Sequence, residues 1–535
     1  MTFQAQISRR AFLKTSAAVG GGLLISFSVP SVSRRALAAD APKPNPLAAW
    51  VRIQPDNTVT LVVPGSEMGQ GIDTALPMLL AEELEADWKT VHMSFAEANP
   101  IYINPGFGFQ ATGGSATVRS FSEPLRRVGA TARTMLVEAA AQQWGVPASQ
   151  CEAENSTVLH RASGRKATYG SLASAAAQVP QPAAVTLKKP AQWKLLGKPV
   201  KRLDTHLKAT GQAQFGIDAK VPGLLVGTLM ASPTFGGKLK HVDDKPALAK
   251  RGVRAVVPLT GVPFLDDAVV VVADGYWNAL QGLRALDIQW EPGANGAVND
   301  ATLWEGYRAG LKEAGAPVES QGDAAGAIAG AAKQVEAVYE FPYLAHATME
   351  PMNATAHVRP DGADIWAPTQ SPGLVQNFVA QALHMKPEQV NVNVTFLGGG
   401  FGRRFELDHV FRAVFASKAV GAPVKVLWSR EEDMRHDFYR PATAIWMNGG
   451  LDSAGKVTGV QIKSVNSSIL SRVFPQMVKD GVDQLGQEGL ARSPYGFPAR
   501  QVNYLMKNTS IPVGFWRSVA NTYSGFAMES YMDEL

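Results

Sequence analysis

The chain contains a single cysteine, Cys151, among its 535 residues. One thiol cannot form an intrachain disulfide, and it cannot supply a four-cysteine zinc site or the thiolates of an iron–sulfur cluster. Charge is also scarce, because only 18% of the residues are charged while 46% are hydrophobic. This balance is typical of a folded protein with a sizeable core and excludes disorder as the main state.

The chain lacks a basic excess in spite of its sequence pI of about 9.0. Five of its 51 basic residues lie within residues 1–38, a segment without Asp or Glu, which leaves 46 basic and 46 acidic residues in the rest. Nucleic-acid binding needs an excess of positive charge, so we expect no nucleic-acid partner. No apolar run after residue 38 approaches the roughly 18 residues that span a bilayer, so we also expect no membrane span.

The N-terminus has the features of an export signal in their usual order. Arg9 and Arg10 precede an apolar, Gly-rich run over residues 17–27, and residues 36–38 read Ala-Leu-Ala, a small-x-small cleavage pattern. The apolar run is too short to span a bilayer comfortably. Paired arginines before such a run resemble a twin-arginine signal. We therefore predict a signal peptide over residues 1–38 and a periplasmic mature protein.

Periodicity and turn residues predict an α+β protein with mixed sheets. Runs of β-branched residues predict strands over residues 58–63 and 268–273. Apolar spacing and capping residues predict three helices. These helices are one from Thr74 to Glu85, one with Ser122 as N-cap that ends at Gly145, and one that begins at Ser371 and Pro372 with Leu374, Phe378 and Ala382 on its apolar face.

Three glycine-rich loops are the sharpest local signals. Each loop follows a predicted strand or precedes a predicted helix. Because glycine has no side chain, the backbone N–H groups of such loops can approach an anion closely. None has the spacing of a Rossmann or P-loop fingerprint. Each loop by itself is at least as often a structural turn, but three in one chain favour one large phosphorylated cofactor. The loops are Gly65–Gly71, Thr112–Thr117 and Gly398–Arg404.

Together these motifs resemble the molybdenum-binding large subunit of the molybdenum hydroxylases, the xanthine dehydrogenase and aldehyde oxidoreductase family. His346–Pro351 is similar to the family's HAxxEP segment, Gly399–Gly402 to its GGGFG loop, and Phe515–Arg517 to its FRG segment with a tryptophan inserted. The segment from Gly197 to Asp218 resembles the entry to its hammerhead domain. The glycine loops precede the arginine segment, an order similar to the isoquinoline 1-oxidoreductase branch.

The resemblance implies an α+β multidomain architecture and a role for each matching residue. After the signal peptide it implies a molybdopterin-binding segment over 39–190, an α/β hammerhead domain over 191–295 and a molybdopterin-binding catalytic domain over 296–535. Gln370 would donate a hydrogen bond to an oxygen ligand of molybdenum, and Arg517 would lie near the substrate. The implied cofactor-binding residues are Met68, Gly69, Gln70, Gly71, Thr112, Gly113, Gly114, Ser115, Gly399, Gly400, Phe401, Gly402 and Arg403; no residue is implied as a metal ligand.

The implied function is oxidation of an aldehyde or N-heteroaromatic substrate with water as the oxygen source. Phe405 stands where the family has an acid that binds purines, which disfavours a purine substrate. The resemblance implies molybdenum–molybdopterin in its cytosine dinucleotide form and no flavin or iron–sulfur cluster in this chain. Electrons would leave through a small [2Fe–2S] ferredoxin-like subunit, with a cytochrome c as a candidate acceptor. Two alternatives are an exported, non-catalytic binding protein on the same scaffold and a flavin or nicotinamide dehydrogenase.

One family feature has no counterpart in the sequence. The general base of the family is a glutamate in a Gly-Glu segment near the C-terminus, and this chain contains no Gly-Glu dipeptide. We therefore expect the chain as given to show no hydroxylase activity. The nearest candidates for a substitute base are Glu67, Glu350 and Glu406, none of which matches the family position.

Overall fold

The computed structural model describes residues 50–263 and 265–535, together with the backbone of Leu23–Ile25. The arginine pair Arg9 and Arg10 and the predicted cleavage site lie outside the described residues. The chain divides into two compact units. Unit 1 comprises the residues up to Ala219 and the segment Pro360–Gly398, and unit 2 comprises Lys220–Arg359 and Gly399–Leu535.

Strands and helices alternate through both units, which confirms the predicted α+β class with mixed sheets. The strands are β1 Leu23–Ile25, β2 Val51–Ile53, β3 Val59–Val63, β4 Val91–Phe95, β5 Glu152–Glu154, β6 Thr157–His160, β7 Arg165–Thr168, β8 Leu225–Ala231, β9 Lys238–Asp243, β10 Val253–Leu259, β11 Ala268–Ala273, β12 Asp287–Glu291, β13 Ala316–Gln321, β14 Lys333–Phe341, β15 Asn353–Arg359, β16 Gly362–Ala367, β17 Val390–Val394, β18 Val424–Leu427, β19 Thr443–Leu451, β20 Val457–Asn466 and β21 Arg500–Met506.

The helices range from single turns to one of 29 residues. They are α1 Ile72–Leu84, α2 Ala116–Trp144, α3 Tyr169–Ala176, α4 Thr205–Ala209, α5 Lys245–Leu248, α6 Tyr276–Ala285, α7 Asp300–Gly310, α8 Ala324–Ala329, α9 Pro372–Leu383, α10 Asp408–Val420, α11 Arg430–Arg435, α12 Leu470–Val473 and α13 Asn521–Glu534. Within the described part of the chain, no helix is both long and apolar enough to cross a membrane.

Unit 1 is built on a sheet of order β1-β2-β3-β4, in which β3 and β4 run parallel. Helices α1 and α2 pack against each other in the core of this unit. They approach very closely at Gly129, where a Cβ atom would stand 2.3 Å from the carbonyl oxygen of Leu80. Only glycine permits this contact. The parallel pair β16–β17, packed against α9, and the antiparallel sheet β5-β6-β7 complete the unit.

Two helix predictions for unit 1 need correction. Helix α2 begins at Ala116 rather than after Ser122, and Pro124 lies inside it. Burial of Ala116 and Phe121 favours the longer helix, so packing overrides the local capping signal. Helix α9 begins at Pro372 as predicted, but its buried face is shifted by one position from the predicted one. That face is formed by Val375, Val379 and Leu383, which are buried while the predicted positions are half-exposed.

Unit 2 contains a five-stranded sheet of order β13-β21-β20-β19-β14 and five further strands in the order β10-β11-β8-β18-β15. Strand β11 is buried along its whole length, as its run of valines predicts. Helix α13 buries Tyr523, Ala527 and Tyr531 in the same hydrophobic cluster as β19 and β20. Strands β9 and β12 form a separate antiparallel pair.

Candidate functional site

In unit 1, two of the glycine-rich loops and Gln370 come together through direct hydrogen bonds. The backbone N–H of Ser66 donates to Thr112 Oγ1 (2.8 Å), and Ser66 Oγ donates to the carbonyl of Thr369 (2.7 Å). The Thr112 N–H donates to the Gln370 carbonyl (2.8 Å), and Gln370 Nε2 donates back to the Thr112 carbonyl (3.0 Å). Two glycine-rich loops found as sequence motifs and Gln370, which the family resemblance singled out, therefore share one buried cluster although they are far apart in sequence.

Glu67 fixes the shape of the first loop from inside. Its fully buried carboxylate accepts hydrogen bonds from the backbone N–H groups of Gly69 (2.8 Å), Gly71 (3.2 Å) and Asp73 (3.2 Å). Burial alone would raise the pKa of Glu67, but these three donors, with Lys208, outweigh it and lower that pKa. The chain's own carboxylate therefore neutralises the start of α1, so these N–H groups do not serve a phosphate, as the glycine pattern had suggested.

A charged cluster surrounds Glu67, and no sequence motif predicts it. Oxygen atoms of Glu67, Asp73 and Asp204 lie within 4.8 Å of one another, a grouping that could hold a metal ion. Two cations occupy the position instead, since Arg202 Nη2 lies 3.1 Å and Lys208 Nζ lies 3.6 Å from Glu67 Oε1. Three carboxylates face only these two cations, and burial together with the neighbouring carboxylates raises the pKa of Asp73 to about 7.

The same loops expose glycine backbone on their outer side. Gly69 has φ +111°, and no atom lies within 4 Å of the place where its Cβ would stand. Gly114 is exposed with φ +50°, and Ser115 leads into the long helix α2 without a side-chain cap. An uncapped helix start favours an anionic group. The exposed backbone at this helix start is therefore open to an anionic ligand.

Met68 and Gln70, also predicted to meet the cofactor, brace their own loop. The Met68 N–H donates to Gln70 Oε1 (2.7 Å), and Gln70 Nε2 donates to the Ser66 carbonyl (2.8 Å). The Gln70 amide is nevertheless exposed. A ligand that takes a hydrogen bond from Gln70 has to compete with these two contacts.

In unit 2, the predicted GGGFG loop is held in a conformation that requires glycine. Gly399 and Gly402 have φ +96° and +104°, and Phe401 between them also has positive φ (57°). A Cβ on Gly402 would stand 1.7 Å from the Phe515 carbonyl oxygen. The loop and the segment that carries Arg517 are therefore in direct contact.

Arg517 lies on the Phe401 ring. Its guanidinium carbon is 4.1 Å from the centre of that ring and 5.0 Å from the Trp516 ring, within cation–π distance of both. The Arg517 N–H donates to the Phe401 carbonyl (2.6 Å), which locks the two segments together. Arg517 remains exposed, so its guanidinium can meet a ligand that reaches the Phe401 face. The structure thus pairs Phe401 and Arg517, two of the unit 2 residues that the family resemblance singled out.

Arg403, predicted to bind the cofactor, has a structural position. It is buried, and both its terminal nitrogens donate to the Asp408 carboxylate (2.8 and 2.7 Å). Its Nε lies 2.9 Å from Asp437, and the guanidinium is within 5.6 Å of the centres of the Trp428 and Phe438 rings. Two carboxylates therefore already satisfy this cation, and a phosphate would have to displace them.

The three candidate substitute bases are all held in ion pairs. Glu67 has the contacts described above, Glu350 accepts from Arg404 Nη2 (2.9 Å), and Glu406 accepts from Arg472 Nη1 (3.1 Å). Arg404 also donates to the Gly399 carbonyl (2.8 Å) and so supports the GGGFG loop. Each of the three carboxylates is therefore engaged by a cation, and a role as general base would require it to leave that contact.

His346, the first residue of the HAxxEP segment, contacts the segment that carries Arg517. It is buried, with Nδ1 2.9 Å from Asp437 Oδ1 and Nε2 2.7 Å from the Phe515 carbonyl oxygen. Its HAxxEP motif was visible in the sequence. Its partner Asp437 lies in a separate stretch without any such signal, and only the fold brings the two together.

Comparison with known proteins connects both units to one cofactor class. A family model described as molybdopterin cofactor-binding domain matches residues 312–535, and a second model of the same description matches residues 6–216. The isoquinoline 1-oxidoreductase subunit beta of Brevundimonas diminuta is 31% identical over 99% of this chain and 73% of its own length. The membrane-bound aldehyde dehydrogenase [pyrroloquinoline-quinone] of Gluconacetobacter polyoxogenes is 30% identical over 99% of this chain and 70% of its own.

Solved structures of similar fold span longer chains. Quinoline 2-oxidoreductase from Pseudomonas putida 86 superposes with a TM-score of 0.51 at 21% identity, over 63% of this chain and 48% of its own. Aldehyde oxidoreductase from Desulfovibrio gigas gives a TM-score of 0.50 at 18% identity, over 68% of this chain and 45% of its own. At these identities the likeness concerns the fold, and this chain spans about half the length of either protein.

Proposed function

The chain belongs to the molybdenum hydroxylase family of molybdopterin-binding oxidoreductases, and we propose that it is the molybdopterin-binding subunit of an enzyme that oxidises an aldehyde or an N-heteroaromatic compound. The observation that carries this proposal is the hydrogen-bonded cluster of Ser66, Thr112 and Gln370 in unit 1. Motifs from two distant parts of the sequence meet there. Ser66 and Thr112 lie in the region matched by one molybdopterin cofactor-binding model, and Gln370 lies in the region matched by the other.

The substrate class follows from relatives and from one position in the loop after Gly402. The two most extensive relatives described above are named for isoquinoline and for aldehyde oxidation. Phe405 in this chain packs edge to face against Phe515, with ring centres 5.3 Å apart. An apolar ring here disfavours a polar purine and favours an apolar ring or an aldehyde.

Each proposed site residue has a task that its surroundings permit. Bound molybdenum cofactor would supply the two-electron redox chemistry, with water as the source of oxygen. Gln370 would present a preorganised amide, since its backbone and side chain are both held by Thr112. Phe401 would offer an apolar surface, and Arg517, stacked on it, would attract a carbonyl or ring-nitrogen substrate.

The finer features of the enzyme belong to the same proposal. We infer the cytosine dinucleotide form of molybdopterin, because the uncapped start of α2 fits an additional phosphate. A single cysteine cannot hold an iron–sulfur cluster, so electrons would pass to a small [2Fe–2S] subunit and from there to an acceptor such as a cytochrome c. The Arg9–Arg10 segment favours export by the twin-arginine route to the periplasm.

A pair of matched glycine variants tests whether the unit 1 loop holds the cofactor. Gly69 and Gly164 both have positive φ, and neither has an atom within 4 Å of its missing Cβ. Gly69→Ala costs more backbone strain than Gly164→Ala, because the φ of Gly69 lies outside the left-handed region of about +50 to +70° and that of Gly164 lies within it. Only Gly69→Ala places a methyl group on the proposed binding surface. Both proteins should be purified from a host that makes the complete cofactor, and their molybdenum content measured by mass spectrometry.

We expect Gly69→Ala to retain much less molybdenum than wild type, and Gly164→Ala to retain the wild-type amount. Thermal unfolding of the two variants measures the stability lost to backbone strain, and molybdenum content is compared per mole of folded protein. Equal molybdenum content in both variants would contradict the assignment of this loop to the cofactor.

A further inference from the structure

His346 stands between two groups that only accept hydrogen bonds. Its Nδ1 faces the Asp437 carboxylate at 2.9 and 3.0 Å, and its Nε2 faces the Phe515 carbonyl oxygen at 2.7 Å. The backbone N–H of His346 also donates to Asp437. A neutral imidazole has one donor and one acceptor nitrogen, so it can satisfy only one of the two ring contacts.

Asp437 has the surroundings of an ionised carboxylate. It accepts from the Phe438 N–H (2.7 Å), and Arg403 Nε lies 2.9 Å from the same oxygen. Both carboxylate oxygens already accept a backbone N–H, Oδ2 from His346 and Oδ1 from Phe438. Because hydrogen bonds to the charged form favour it, the carboxylate accepts rather than donates in its contact with the His346 ring.

We infer that His346 is a buried imidazolium that donates from both ring nitrogens and acts as a positioning residue for the Phe515–Arg517 segment. The charged groups around Asp437 include three carboxylates and four arginines. They are Asp408, Asp433 and Asp437, with Arg403, Arg404, Arg412 and Arg430. The imidazolium is therefore assigned from its two ring contacts, each of which requires a donor from the ring.

The Phe515 carbonyl is the point at which His346 acts on the site. A Cβ atom on Gly402 would lie only 1.7 Å from that oxygen, so the carbonyl packs directly against the glycine loop. The hydrogen bond from His346 holds the carbonyl in this position. Two residues further along, the Arg517 N–H donates to the Phe401 carbonyl and the guanidinium lies over the Phe401 ring. Loss of the His346 contact should therefore loosen the segment that carries Arg517. The substitution itself leaves the side chains of Phe401 and Arg517 unchanged.

The importance of this arrangement for substrate binding rests on the proposed function, but its test does not. Histidine-selective ¹⁵N labelling of the full wild-type chain near neutral pH should reveal one imidazole with N–H cross peaks from both ring nitrogens. The signals should be absent from His346→Gln. Detection of a single protonated nitrogen at His346 under the same conditions would overturn the inference.

Hydrogen exchange tests the positioning role. In His346→Gln, amide exchange within residues 513–519 should accelerate by roughly 10- to 100-fold, the range for losing a hydrogen bond from a charged donor. Exchange in β19 and β20 should stay at the wild-type rate. His241→Gln, which changes an exposed histidine of the same unit, is the control and should leave both regions unchanged.

An unchanged rate over residues 513–519 in His346→Gln would contradict the positioning role. If His346→Gln does not fold, the wild-type spectrum still tests the inference. An imidazolium that donates to Asp437 and to the Phe515 carbonyl has to give signals from both ring N–H groups. Neither readout needs cofactor, so both remain decisive even if molybdenum analysis contradicts the proposed function.

Discussion

Asp73 offers the sharpest test of the electrostatics around the unit 1 loop. It is fully buried, its pKa is raised from 3.8 to about 7, and burial is the main cause, followed by Glu67 and Asp204. A carboxyl whose folded pKa is raised favours folding below its unfolded pKa and loses that contribution as pH rises through its folded pKa. We predict that Asp73→Asn, which cannot ionise, becomes more stable relative to wild type between about pH 4 and about pH 8.

The size of the effect follows from the pKa difference. About three pKa units at 1.36 kcal/mol each correspond to roughly 4 kcal/mol for a fully buried group. Arg202 at the edge of the cluster is 38% exposed, so solvent screens part of this energy. We therefore expect a relative gain of about 1–3 kcal/mol, which amounts to roughly 2–8 °C in Tm for a unit of this size.

Differential scanning fluorimetry of the full chain from about pH 4 to about pH 8 measures this difference. Asp204→Asn is the matched variant, because Arg202 and Lys208 lower the pKa of Asp204 to about 2 against the effect of burial. It should be destabilising near pH 7, and its loss should shrink as pH falls from about 4 toward 2. A Tm difference between Asp73→Asn and wild type that does not change with pH would refute the account of this cluster.

Three further predictions concern the site and export. Gln370→Ala in the complete enzyme should lower turnover by roughly one to three decades with most of the molybdenum retained; Gln376→Ala, which also removes one amide-to-carbonyl bond, should leave turnover unchanged. Gly402→Ala should destabilise unit 2 by at least about 2 kcal/mol in denaturant unfolding, against about 1 kcal/mol or less for another positive-φ glycine with open surroundings. Replacing Arg9 and Arg10 by lysine should retain the protein in the cytoplasm, as fractionation would detect; periplasmic recovery would exclude the twin-arginine route.

Local sequence pattern predicted much of the fold, because several helices and strands carry strong signals within their own residues. The all-valine run of β11 and the glycine after α2 give strong local signals, and the structure confirms both elements. The start of α2 was wrong because Ser122 and Pro124 form a plausible cap that tertiary burial of Phe121 overrides. Capping signals are worth about 1 kcal/mol, less than burying an aromatic side chain.

The candidate site likewise contains residues that the sequence predicts and residues that only the fold reveals. Glycine loops and Gln370 could be found because a motif is a local pattern, and the resemblance supplied their grouping. The partners that hold them could not be found, since Arg202, Asp204 and Lys208 reach Glu67 from about 135 residues away in the chain. Arg403 was predicted to bind an anion from its place beside the glycines, but only the fold shows the two carboxylates that occupy it.

The central claim is that this chain holds a molybdopterin cofactor, and metal and nucleotide analysis of the purified protein tests it most directly. The protein should be isolated with its natural partners from a host that makes the cofactor, then analysed for molybdenum, iron and released cytidine nucleotide. We predict stoichiometric molybdenum with cytidine nucleotide on this chain, and iron only in a separable small subunit. A chain that carries flavin or nicotinamide, or no cofactor at all under these conditions, would contradict the account.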